Sequence, residues 1–184
     1  MNRRSSVFIR IGLWITASAF FGCAATPLVK DTSQWHLRSS GAYDTFRGRA
    51  FYGIGYAEGL RNATLLRATA VNRAREELTK VLDGYVVELF QATQTTPALS
   101  VEEDEQMIGG LVRDAMKLAV ISDQWKDPET GGLYALCRLG LDRFTQVLAA
   151  QTAILPDVRA AMAAEAENLH SMMAQPSLHP NHTQ

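Results

Sequence analysis

Apolar and polar positions follow two different periods along the chain. Residues Gly48 to Ala57 alternate with a period of two, which predicts a strand with two distinct faces. After Asn62, apolar residues recur at spacings of three and four, which predicts one buried face of a long helix. The helix should run to about Phe90, with Asn62 as its N-cap. Its apolar face consists of Leu66, Ala70, Ala74, Leu78, Val81, Tyr85 and Leu89.

The later part of the chain predicts two more strands among helices. The further predicted elements are a helix over 100–115, strands over 117–125 and 132–141, a helix from 142 and another from 156. The order β-α-α-β-β-α predicts an α+β fold. We expect a small antiparallel or mixed three-stranded sheet packed against helices, with a helical C-terminal extension.

A basic and then apolar segment opens the chain. Arg3, Arg4 and Arg10 precede an apolar run over 11–21. The run is too short for a transmembrane helix, which needs about 20 apolar residues. Its length is typical of the apolar region of a secretory signal. We therefore assign residues 1–22 to a signal peptide and exclude them from the fold.

The end of this segment resembles the lipobox of bacterial lipoproteins. Gly22 and Cys23 match that motif, whereas Phe20 and Phe21 stand where it prefers Leu and a small residue. The resemblance implies cleavage between Gly22 and Cys23, with a diacylglycerol and an N-acyl lipid on Cys23. An ordinary secretory signal cleaved near Ala25 is the alternative.

The mature chain divides into four predicted regions. They are a lipidated N-terminus and tether over 23–47, an α+β domain over 48–155, a C-terminal helix over 156–174 and a disordered tail over 175–184.

Gly53 and Gly55 raise the question of phosphate binding. A dinucleotide fingerprint needs a third glycine three residues after the second one. Here the next glycine after Gly55 is Gly59, which is one position too late. Two glycines on one strand face are better explained by close packing of a helix. Cys137 alternates with apolar residues, so we interpret it as part of the core. His36 lies in the tether, whereas His170, His179 and His182 lie at the end of the last helix and in the tail, where we expect solvent exposure.

No motif unites a nucleophile, a base and an orienting group, so we predict a protein that is not an enzyme and holds no metal. The only predicted prosthetic group is the lipid on Cys23. The net charge of −1 gives no electrostatic indication of nucleic-acid binding.

Two segments carry a family resemblance over roughly half of the chain, from Gly48 to Phe144. "FYGIGYAEG" followed by "RATAVNRAREELTKVLDGYV", and later "ISDQWKDPETGGLYALCRLGLDRF", resemble the LPP-twenty-type bacterial lipoproteins. The matching positions are Gly53, Gly55, Ala57, Ala70, Ala74, Arg75, Glu77, Leu78, Trp125, Tyr134 and Leu136. The resemblance implies an outer-membrane lipoprotein without catalytic residues. The FlgP-type members serve flagellar structures.

Two classes of function remain open from the sequence. In the first, the chain is a structural or interaction module of the envelope, with Tyr52, Ile54, Tyr56 and Tyr134 as its contact surface and a second copy or an envelope protein as partner. A helix covering those residues is the alternative interpretation of the same pattern. In the second, the chain is a periplasmic ligand-binding or enzymatic domain, which would require a polar pocket.

The lipobox interpretation makes a direct prediction. Cys23→Ala should release the protein from membranes, because lipid chains contribute about 0.8 kcal/mol per buried CH₂ and no other anchor is predicted. Membrane fractionation after a salt wash measures this release. Retention of the Ala variant in the pellet would show that the lipid is not the anchor.

Overall fold

The computed structural model describes residues 35–45, 47–93 and 101–174. For residues 101–104 it describes the backbone alone. Gly22, Cys23, the Ser100 cap and the tail over 175–184 lie outside these residues. After a short 3-10 helix, Trp35–Leu37, the elements are β1 (Gly41–Thr45), β2 (Gly48–Ala57), α1 (Ala63–Thr93), α2 (Val101–Met116), β3 (Val120–Lys126), β4 (Leu133–Gly140), α3 (Leu141–Ala150) and α4 (Pro156–Met173).

The strands form one antiparallel sheet in the order β1-β2-β4-β3. The α+β class is therefore confirmed, although the sheet has four strands where the sequence predicted three. No described helix has the length and apolar character needed to cross a bilayer.

The additional strand, β1, lies in the segment that was predicted to be a tether. Ala42 faces the helices, whereas Tyr43 faces the opposite side of the sheet, and both are buried. The prediction of a structureless tether is therefore wrong for 35–45. The strand has only five residues, so its period of two is too short to stand out from the irregular sequence around it.

Helix α1 begins as the sequence predicted. The side-chain oxygen of Asn62 accepts hydrogen bonds from the N–H groups of Thr64 and Leu65, at 2.9 and 3.1 Å. The helix then lies along β2, and Ala70, Ala74 and Leu78 are fully buried between them.

The two glycines of β2 let the backbones of α1 and the sheet come close together. A Cβ on Gly53 would overlap the Ala74 carbonyl oxygen and lie 2.7 Å from the Cβ of Leu78. A Cβ on Gly55 would overlap backbone atoms of Ala70 and Ala74. Because the obstacles are mostly helix backbone, no rotamer change can relieve them. The packing interpretation of Gly-x-Gly is confirmed.

An aromatic cluster fills the core beyond the glycines. Phe51 lies 4.6 Å from Tyr85 and 6.0 Å from Phe144, measured between ring centroids. The Tyr85 hydroxyl donates to the Ala166 carbonyl of α4 at 2.6 Å. Burial raises the pKa of Tyr85 above its ordinary value, so this hydroxyl stays a donor at neutral pH.

Helix α4 is an integral part of this core. Met162, Ala166 and His170 are fully buried in it, and the described residues belong to one compact unit. The predicted boundary between a domain ending at 155 and a separate C-terminal helix is therefore wrong. The start of that helix at Pro156 is confirmed.

The close approach at β2 predicts opposite effects for one substitution at two glycines. Gly55→Ala should lower the free energy of unfolding by about 1–3 kcal/mol, as overpacked sites do. Gly84→Ala should raise it by about 0.5–1 kcal/mol, because Gly84 lies inside α1 with open space around its missing Cβ. Urea denaturation of both variants measures the two changes. Equal stability of the two variants would contradict the account.

Candidate functional site

The sheet has a second face, away from the helices, which carries mostly aromatic side chains. We call it the aromatic face; its members are Trp35, Tyr43, Ala50, Tyr52, Ile54, Trp125, Tyr134 and Leu136, with Tyr56 beside them. Strand register explains the grouping, since Ile54 pairs with Leu136 and Tyr56 pairs with Tyr134. The Tyr56 and Tyr134 rings are 4.4 Å apart. The predicted proximity of Tyr134 to the β2 tyrosines is confirmed.

The cover over this face comes from the N-terminal segment. The Trp35 indole N–H donates to Asp123 at 3.0 Å, and the ring of His36 stacks on Trp125 at 3.9 Å with an interplanar angle of 10°. The hydroxyl of Ser40 accepts a hydrogen bond from the N–H of Ile54 at 3.0 Å. The side chains packed in this cluster come from strands and from the 3-10 helix. Among the described residues no α-helix contributes to this cluster, and the 3-10 helix covers only part of the β2 stripe.

The predicted contact residues divide into two groups. Tyr52 is 9% exposed and belongs to a small second core with Trp35 and Tyr43, so its prediction as a surface contact is wrong. Ile54, Tyr56, Tyr134 and Trp125 stay half-buried. The accessible part of the aromatic face therefore lies at the end of the sheet where β2 finishes and β4 begins.

Polar contacts fix the Tyr56 side chain at that end. Its hydroxyl donates to the Glu58 carboxylate at 2.6 Å and lies 3.2 Å from the Thr130 hydroxyl. The hydrogen bond to Glu58 is the main cause that raises the pKa of Tyr56.

The hairpin loop between β3 and β4 positions Thr130. The Thr130 hydroxyl donates to Asp127 at 2.7 Å, and this bond is the main cause that lowers the pKa of Asp127. Gly131, with φ of +71°, makes the turn that returns the chain to β4. The loop thus holds a polar rim beside half-buried aromatic rings, which is the composition of many protein contact surfaces.

Two chemically versatile side chains lie in the core. Cys137 is fully buried, as predicted, and burial raises the pKa of its thiol. His170 is also fully buried, so the prediction that it is solvated is wrong. Its Nε2 lies 3.2 Å from the Ala50 carbonyl oxygen and its ring packs edge-on against Phe51. Burial is the main cause that lowers the pKa of His170. Its spacing of four from Ala166 on α4 was the signal for this placement.

Sequence reasoning missed the residues that complete the site. Trp35, His36 and Asp123 are distant in sequence from the β2 tyrosines and become neighbours only through the fold. Within the described ranges, no three His, Cys, Asp or Glu side chains group closely enough to hold a metal ion. Neither a protein-family model nor a curated protein matches the chain.

Proposed function

We propose that this chain is a lipid-anchored, non-catalytic structural or interaction module of the bacterial envelope. It is held at the outer membrane by lipid on Cys23 and acts by contact through the accessible part of the aromatic face. The observation that carries the proposal is the pairing of a lipobox with half-buried aromatic side chains on the sheet face opposite the helices. Trp35, which covers part of that face, follows Cys23 by only 12 residues.

The chemistry of the face supports a protein partner. Aromatic rings contribute large contact areas at interfaces, and Tyr and Trp are frequent among the residues that dominate binding. Leu37, on the 3-10 helix, adds an apolar side chain that is 73% exposed. A second copy of the chain or an envelope protein fits this mixture of rings and polar rim.

The anchor makes weak contacts useful. A tethered domain meets membrane-bound partners at a raised effective concentration, so a small surface can be sufficient. The resemblance to LPP-twenty-type lipoproteins supports an envelope role, and the flagellar role of FlgP-type members makes association with the flagellum a narrower form of the proposal.

A periplasmic ligand-binding domain is the second candidate. An open cleft lined by several arginines, at the other end of the sheet, favours it. Ligand binding and protein contact would use different ends of the sheet, so the two functions are compatible.

Crosslinking in intact cells tests the contact function. A photoreactive amino acid at position 56 should give discrete adducts with a second copy or with an envelope protein, because Tyr56 lies on the accessible part of the aromatic face. The same group at position 67 is the control, since Arg67 is exposed on α1. Absence of adducts from position 56 in a correctly anchored protein, or the same adducts from both positions, would refute the proposal.

A further inference from the structure

An open cleft of about 580 Å³ lies at the end of the sheet opposite to Tyr56. It is bounded by the turn between β1 and β2, the end of β4, the start of α3 and one side chain of α4. Its charged lining residues are Arg47, Arg49, Arg138, Arg143, Asp142 and Glu167. Four arginines and two acidic residues thus line one concave surface.

Some of these charges are paired within the cleft wall. Arg49 bonds Glu167 at 3.0 Å and lies 4.0 Å from Asp44. Arg143 lies 3.8 Å from Asp142. These pairs are exposed, so they neutralise the arginines only weakly.

Arg138 differs from these arginines. Among the residues that the structure describes, no carboxylate lies within 4.0 Å of its guanidinium. The side chain is half-buried. Two neutral acceptors hold it: Nη2–H donates to the Arg47 carbonyl at 3.0 Å, and Nε–H donates to the Tyr52 hydroxyl at 3.2 Å. A partly desolvated cation without a direct ion pair is unfavourable, and an anion in contact with it would reduce that cost.

The surroundings fix the direction of this guanidinium. The Cζ atom of Arg138 lies 6.0 Å from the centre of the Tyr52 ring, and that ring is itself buried in the second core. A Cβ on Gly140 would overlap a carboxylate oxygen of Asp142 and would lie 3.7 Å from Nη1 of Arg138, so the Asp142 carboxylate occupies the space beside this guanidinium. Arg138 is therefore oriented before any ligand arrives, which reduces the entropy lost on binding.

We propose that this cleft is a binding site for a phosphate group, with Arg138 as its central ligand and Arg143 on its rim. A guanidinium matches phosphate oxygens with two parallel charge-assisted hydrogen bonds. The phosphate can belong to a small soluble molecule or to the headgroup of an anionic phospholipid. The site needs neither the lipid anchor nor the accessible part of the aromatic face; it rests on the second candidate function, ligand binding, and can fail or succeed independently of the contact function.

Calorimetric titration tests the site on the full lipidated chain in a neutral detergent. The two probes are inorganic pyrophosphate and monomeric dihexanoyl phosphatidylglycerol. Saturable binding of either probe is expected, and the probe that binds identifies the source of the phosphate. Arg138→Gln should weaken that binding about tenfold or more, since a hydrogen bond to a charged group has about this effect. Arg67→Gln, an exposed arginine of α1, should change it less than twofold.

Further measurements separate ligand binding from a structural role of Arg138. The probe that binds should raise the melting temperature of the unmodified chain and of Arg67→Gln, but not that of Arg138→Gln. If Arg138→Gln does not fold, Arg143→Gln replaces it and should weaken binding several-fold. Failure of both probes to bind the unmodified chain would overturn the proposal. An affinity unchanged in a folded Arg138→Gln or Arg143→Gln variant would also overturn it.

Discussion

The close contact between the backbones of β2 and α1 organises the rest of the molecule. Gly53 and Gly55 contribute no side chains between strand and helix, and α1 places the small side chains of Ala70 and Ala74 at the same level. This contact fixes the position of a helix of 31 residues along the sheet. Its later turns then bring Tyr85 to the place where Phe51, Phe144 and α4 complete the core.

The same strand also determines the other face of the sheet. Successive side chains of a strand point to opposite sides, so the glycines that face α1 require Tyr52, Ile54 and Tyr56 to face away from it. The α-helices therefore pack on one side of the sheet. The aromatic face is covered instead by a single turn of chain around Trp35, which leaves its Tyr56 end accessible and buries its Tyr52 end.

Local patterns predicted the elements that are long or strongly periodic. The bounds of β2, the Asn62 cap, the packing role of Gly55 and the burial of Cys137 were all readable from the sequence. The short strand β1 was not, because five residues carry too little period. The placement of His170 was missed because a polar side chain near a polar tail suggests solvent. The role proposed for Arg138 could not be predicted either, because its partners Arg47 and Tyr52 come close to it only in the fold.

We propose different roles for the two ends of one sheet: protein contact near Tyr56 and phosphate binding near Arg138.

The measurement that tests the central claim, contact through the aromatic face, is thiol accessibility in intact cells. Thr130→Cys, beside Tyr56, and Arg67→Cys on α1 each add one exposed thiol, since Cys137 is buried and Cys23 carries lipid under the proposed function. The account predicts that maleimide labelling of Thr130→Cys is markedly slower in cells than in the purified protein, because a bound partner excludes solvent from the contact, while Arg67→Cys changes little. An equal ratio of rates at the two positions would contradict it.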